Sequence, residues 1–134
     1  MKPLVIITCP VHADAIELLL SVCNVARVST RTDHARHALT VLASNAHALL
    51  ATTPECVGES MLARCRMLRV VACAFQLPEH INVGACTRRG IWVTTVMSHR
   101  LGKDAEIEAA RNILDVLGGD TPRGAVNEIL QTAA

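Results

Sequence analysis

Four polar residues stand just past apolar runs of strand length. Thr52 and Thr53 follow the run 46–51, Gln76 follows 68–74, and His99 follows 91–96. Hydroxyl, amide and imidazole groups can all donate hydrogen bonds to an oxyanion, although the Gln amide brings no charge. In doubly wound parallel sheets, ligands sit outside the carboxyl ends of the strands, so these residues would share one rim. The chemistry on offer is the binding of a small anion.

Other pairings are less productive. His34 and His37 lie three apart on a helical stretch and could face a metal together, but no third ligand falls in register, which leaves a solvated helix face. Cys9 and His12 have the residue types of a thiolate nucleophile and its base. Nothing orients the imidazole, and Cys9 ends an apolar strand, so no catalysis is expected there. Arg88-Arg89 closes a helix, where cations suit the dipole. The six cysteines, Cys9, Cys23, Cys56, Cys65, Cys73 and Cys86, contain no Cys-x-x-Cys pair and mostly sit in apolar runs. They read as reduced core thiols.

The elements that must position these residues follow from periodicity. Apolar runs at 4–8, 25–29, 46–51, 68–74 and 91–96 read as five strands. Helical spacing appears over 11–23, with Ile16, Leu19, Leu20 and Cys23 inward, and over 33–44 with Asp33 as N-cap. Shorter helices are expected over 58–66, with Met61, Leu62 and Cys65 inward, and over 81–88, stopped by Gly90 at C′. Asp104 reads as the cap of a final helix over 105–117, with Glu106 and Glu108 in its first turn; Gly118-Gly119 ends it. Residues 125–134 read as a loosely docked turn or short helix. The run 68–74 is apolar throughout, as a strand covered on both faces must be. Strands alternating with helices predict an α/β fold, a flavodoxin-like five-stranded parallel sheet of order 2-1-3-4-5 with helices on both faces.

Composition narrows the function classes. The chain has 134 residues, the size of one domain, and 51% are hydrophobic, enough for a core. One Trp, one Phe and no Tyr leave no aromatic platform for single-stranded nucleic acid. A formal charge of +1 gives no basic field for phosphate backbones. No apolar run approaches the roughly 20 residues of a membrane helix. No signal-peptide order is visible at the N-terminus, and a cytoplasmic protein is expected.

Two stretches resemble a known family. The first is Leu68-Arg-Val-Val-Ala-Cys-Ala-Phe-Gln76 followed by Ile81-Asn-Val-Gly-Ala-Cys-Thr-Arg-Arg-Gly-Ile-Trp-Val-Thr94. The second is Asn112-Ile-Leu-Asp-Val-Leu-Gly-Gly-Asp-Thr-Pro122 followed by Ala125-Val-Asn127. Together, and in this order, they resemble the substrate domain of the D-isomer-specific 2-hydroxyacid dehydrogenases, and the wording around Cys86 to Trp92 is most similar to the phosphonate (phosphite) dehydrogenase branch. The resemblance implies a family N-terminal part over 1–96 and a family C-terminal helix and tail over 104–134, together forming one substrate domain over 1–134.

In the family a nucleotide-binding domain separates the two stretches and carries the NAD site and the catalytic Arg, Glu and His. Here the stretches nearly adjoin, and no Gly-x-Gly-x-x-Gly occurs in the chain. The expectation is a substrate domain without its cofactor partner. It would hold no NAD of its own, have no catalytic residue and no metal, and transfer no hydride alone. The resemblance places Gln76 where the phosphonate branch has an anion-binding Lys, and Thr53 near the substrate loop. The Gly-rich loop of the family is replaced by Leu77-Pro-Glu-His80, in which Pro78 removes a backbone donor. The alternatives to an inactive dehydrogenase domain are a module binding a small acid or phosphite-like anion and a homo-oligomeric interaction domain. A homo-oligomer is expected because a lost domain bares its former interface.

Overall fold

Short runs of Val, Ile, Leu and Ala form the central strands here, because each of these is covered on both faces and needs no polar alternation. The computed structural model describes residues 2–8, 11–27, 44–51, 59–75, 81–97 and 102–129. In chain order the elements are β1 (Leu4–Ile7), α1 (Ala13–Leu20), β2 (Asn24–Arg27), β3 (Ala48–Ala51), α2 (Glu59–Leu62), β4 (Val70–Cys73), α3 (Val83–Arg88), β5 (Trp92–Thr94) and α4 (Lys103–Leu117). The helix expected over 33–44, with His34 and His37, lies outside the described residues.

The five strands form one parallel sheet of order β2-β1-β3-β4-β5, as the alternating pattern predicts. Successive side chains of a strand point to opposite faces. Val70 and Ala72 therefore join Val5, Ile7, Leu50 and Trp92 beneath α1 and α4. Val71 and Cys73 join Ile6, Leu49 and Val93 beneath α2 and α3. All four residues of β4 are buried, which is why its sequence shows no polar alternation.

The first three described helices are shorter than periodicity suggested, and the last, α4, is two residues longer. α1 covers only 13–20; Leu19 and Cys23 are buried as expected, but Leu20 is 48% exposed and lies off the inward face. Asp104 does not cap α4. The cap is Gly102, whose carbonyl accepts the Glu106 N–H at 2.9 Å, and Asp104 falls within the first turn. Gly90 is confirmed as the C′ residue of α3, with φ +73°, a backbone state that a Cβ disfavours.

The C-terminal segment departs most from expectation. Its described part, to residue 129, contains no helix and is not loosely docked. It runs antiparallel along the outer edge of β5, bridging Ala125 to Thr94. The Thr95 N–H donates to the Gly124 carbonyl and the Val126 N–H to the Val93 carbonyl, both at 2.9 Å. Two amides lock this segment. Asn112, on α4 and only 2% exposed, donates to the Thr95 carbonyl and accepts the Gly124 N–H, each at 3.2 Å. Asn127 accepts the Val93 N–H at 2.8 Å and donates to the Ile91 carbonyl at 2.9 Å. A buried backbone group left unpaired costs about 1–3 kcal/mol, so these amides are structural.

Candidate functional site

The site is built on the carboxyl edge of the sheet. β1, β3, β4 and β5 end there side by side, and α1 and α4 both begin there. Helix N-termini carry partial positive charge and unpaired N–H groups, which favour anions.

The chain supplies carboxylates of its own at this edge. His12 caps α1, its Nδ1 accepting the Asp14 N–H at 3.1 Å. Its backbone N–H donates to Glu106 Oε1 at 2.6 Å. The Met97 N–H, just past β5, donates to Glu108 Oε2. Lys103 Nζ meets Asp14 Oδ2 at 3.0 Å. Hydrogen bonding to Lys103 holds the Asp14 carboxyl below the usual carboxylate range, and Asp14 in turn holds Lys103 above its ordinary value. The first turns of α4 thus grip the exits of β1 and β5. Glu106 and Glu108 do more than complement the helix dipole: they pair with the backbone N–H groups of His12 and Met97.

Two hydroxyls remain without partners among the described residues, those of Thr8, at the exit of β1, and Thr94, at the end of β5. Both are buried, at 1% and 0% exposure, so neither meets solvent directly.

The residues singled out by sequence, Thr52, Thr53, Gln76 and His99, lie outside the described residues, as do Cys9 and His80. In sequence Thr52 directly follows β3, Gln76 follows β4 and His99 follows β5, three adjacent strands of the sheet. Sequence reasoning missed the latching role of Glu106 and Glu108. It also read Asn112 and Asn127 only as family signature, whereas their partners are backbone groups of β5 and the segment beside it.

The cysteines of the described residues, Cys23, Cys65, Cys73 and Cys86, are all free and buried. Burial pushes the Cys73 thiol up to about 12 and the Cys86 thiol up to about 11. Neither is a thiolate at neutral pH, which excludes them as nucleophiles. No group of three or more His, Cys, Asp or Glu among the described residues could hold a metal ion. No described helix is long and apolar enough to cross a membrane.

A five-stranded parallel sheet of this order defines an α/β domain of the flavodoxin-like kind. Residues 5–127 match the family of D-isomer specific 2-hydroxyacid dehydrogenase, catalytic domain, and the chain belongs to that family.

Solved structures share the fold. One is a protein from Pyrococcus horikoshii OT3, with TM-score 0.64 and 21% identity over 72% of this chain and 28% of that one. A second is a 2-hydroxyacid dehydrogenase from Ketogulonicigenium vulgare Y25, with TM-score 0.59 and 20% identity over 73% of this chain and 30% of that one. A third is the NAD+-bound 3-phosphoglycerate dehydrogenase of Entamoeba histolytica, with TM-score 0.59 and 11% identity over 70% of this chain and 32% of that one. The chain therefore spans about a third or less of the length of these structures.

Proposed function

We propose that the chain is the substrate-side domain of an NAD-dependent D-2-hydroxyacid dehydrogenase and does not transfer hydride alone. One observation carries this reading. The family match runs through residues 5–127, yet only residues 95–102 separate β5 from α4. In the family, by the resemblance drawn above, the nucleotide-binding domain lies between those two elements, and eight residues cannot form one.

The residues present also do not fit a dinucleotide. A pyrophosphate needs a glycine-rich turn leading from a strand into a helix. The β1–α1 and β4–α3 connections contain no glycine, and the β5–α4 connection contains only Gly102. NAD in this proposal belongs to a separate nucleotide-binding domain.

The substrate class we infer is a small 2-hydroxyacid or phosphite-like anion, met at the carboxyl edge by Gln76, Thr53, Thr52 and His99. The wording around Cys86 to Trp92 favours the phosphonate branch. The Gln76 amide, in place of a cation, makes binding weak. With NAD and either D-lactate or phosphite, no NADH absorbance is expected; clear turnover overturns the reading. Calorimetry with the same acids should give weak heats that Gln76→Ala abolishes, and heats unchanged in that variant remove Gln76 from the site.

Self-association is part of this proposal. Met97, at the exit of β5, is 77% exposed where the family's second domain would adjoin. Light scattering is expected to find a homodimer, and a monomer at high concentration refutes that part.

A further inference from the structure

Among the described residues, two imidazoles accept backbone hydrogen bonds, and they stand at opposite ends of β1. His12 follows the strand and takes the Asp14 N–H on Nδ1. His47, half-buried just ahead of β3, takes the Leu4 N–H, the first of β1, on Nδ1 at 3.0 Å. The His47 N–H donates in turn to the Leu4 carbonyl at 2.8 Å, so residues 4 and 47 form a reciprocal pair. An imidazole nitrogen accepts only while it is bare, which puts the ring proton of neutral His47 on Nε2. Charging the ring adds a proton at Nδ1 and turns the acceptor into a donor.

The two rings differ in what meets that proton. His12 Nδ1 lies 3.8 Å from Asp14 Oδ2, a carboxylate able to accept it. His47 has no carboxylate within ion-pairing distance among the described residues. The charged residues of the flanking strand entries are Lys2, ahead of β1, and Arg69, ahead of β4, whose N–H donates to the His47 carbonyl at 2.9 Å. Arg64 and Arg66 stand on the loop into β4. The Arg69 guanidinium reaches the Val116 carbonyl of α4 at 3.1 Å, beside Asp115 in sequence. A charged His47 thus sets donor against donor at the Leu4 N–H, with no carboxylate in reach to compensate.

We infer that residues 4 and 47 form an acid-sensitive clasp: charging His47 turns its ring away and frees the entry of β1. β1 lies between β2 and β3, and the neighbouring Pro3 carbonyl accepts the Asn24 N–H at 2.9 Å, so the freed entry also loosens the start of β2. The clasp sits at the amino edge and shares no residue with the carboxyl edge, so it stands independently of the dehydrogenase reading.

The test is NMR on the whole chain between about pH 8 and 5, the range over which histidine changes charge. At the upper end the His47 ring nitrogens should show Nδ1 bare and Nε2 protonated. As His47 takes up its second proton, protection of the Leu4 amide, corrected for the intrinsic pH dependence of exchange, should fall about tenfold, the effect of losing one hydrogen bond. The Val71 and Val93 amides, deeper in the sheet, should keep their protection. His47→Gln retains an acceptor that does not titrate, so its Leu4 protection should be independent of pH. His47→Ala should leave the Leu4 amide weakly protected at every pH, and His12→Gln should leave the Leu4 profile as it is. A protonated Nδ1 at pH 8, Leu4 protection that stays level while His47 titrates, or an acid-induced loss that persists in His47→Gln would each overturn the inference.

Discussion

Gly124→Ala is expected to lower the unfolding free energy by about 3 kcal/mol or more, near the upper end for a single substitution. A Cβ at Gly124 would lie 2.0 Å from the Thr95 carbonyl oxygen and 2.7 Å from Asn112 Nδ2. The first obstacle is backbone, so no rotamer change relieves it. The segment must lift from β5, and three hydrogen bonds go with it: Thr95 to Gly124, Val126 to Val93, and Gly124 to Asn112.

Asn127→Ala provides a graded comparison. It removes the partners of the Val93 N–H and the Ile91 carbonyl without a clash, and should cost about 1–2 kcal/mol. Urea unfolding measures both, and hydrogen exchange at the Thr95 and Val126 amides localises the effect. A Gly124→Ala protein with unchanged stability and protected amides at those positions would disprove the docking described here.

The second large effect is alkaline. Cys73 and Cys86 stay protonated in the fold up to about 12 and about 11, against an ordinary thiol value of 9.0. Above pH 9 the unfolded chain has released these protons while the folded chain still holds them. Stability is therefore complete below pH 9, falls as pH rises, and the loss levels off only above the folded values. Each thiol contributes a slope of about 1.4 kcal/mol per pH unit within its window. Cys23 and Cys65 are raised in the same direction by burial.

The composition makes this unusually readable. There is no Tyr, and the only lysines are Lys2 and Lys103, so few other groups titrate between pH 9 and 12. Urea midpoints at pH 8, 9 and 10 should fall progressively. The Cys73→Ala variant, compared with itself at each pH, should show a shallower decline. A flat profile, or rapid alkylation of Cys73 in the folded protein, would contradict the buried-thiol assignment.

How much of this was legible in the sequence depended on where each partner lies. β4 was readable because every residue of the run 70–73 is buried, so the run itself is the signal. Gly90 was readable because a helix stop needs only its own backbone conformation. The cap of α4 was misread because Asp104 has the better capping side chain, yet the chain turns at Gly102, where φ is +105° and a side chain is disfavoured. The segment after Gly119 was misread because Asn112 and Asn127 act on backbone groups 12 to 36 positions away. Residue type alone carries no mark of such partners. The carboxyl edge was legible as a place, through the strand pattern, but the engagement of its donors by Glu106 and Glu108 was not. Glu at the start of a helix looks the same whether it faces water or a neighbouring N–H.

The segment alongside β5 also governs how copies of this domain could join through their sheets. Endless stacking of sheet upon sheet requires two bare margins per molecule, one to accept the next copy and one to offer to it. Residues 124–126 already fill the hydrogen-bonding positions beside β5. Among the described residues, β2 is the margin that remains, with Asn24 and Arg27 exposed at its ends. A molecule with one such margin can make pairs and cannot make ribbons. Lifting the segment, as Gly124→Ala does, would supply the second margin and turn a self-limiting contact into a polymerising one.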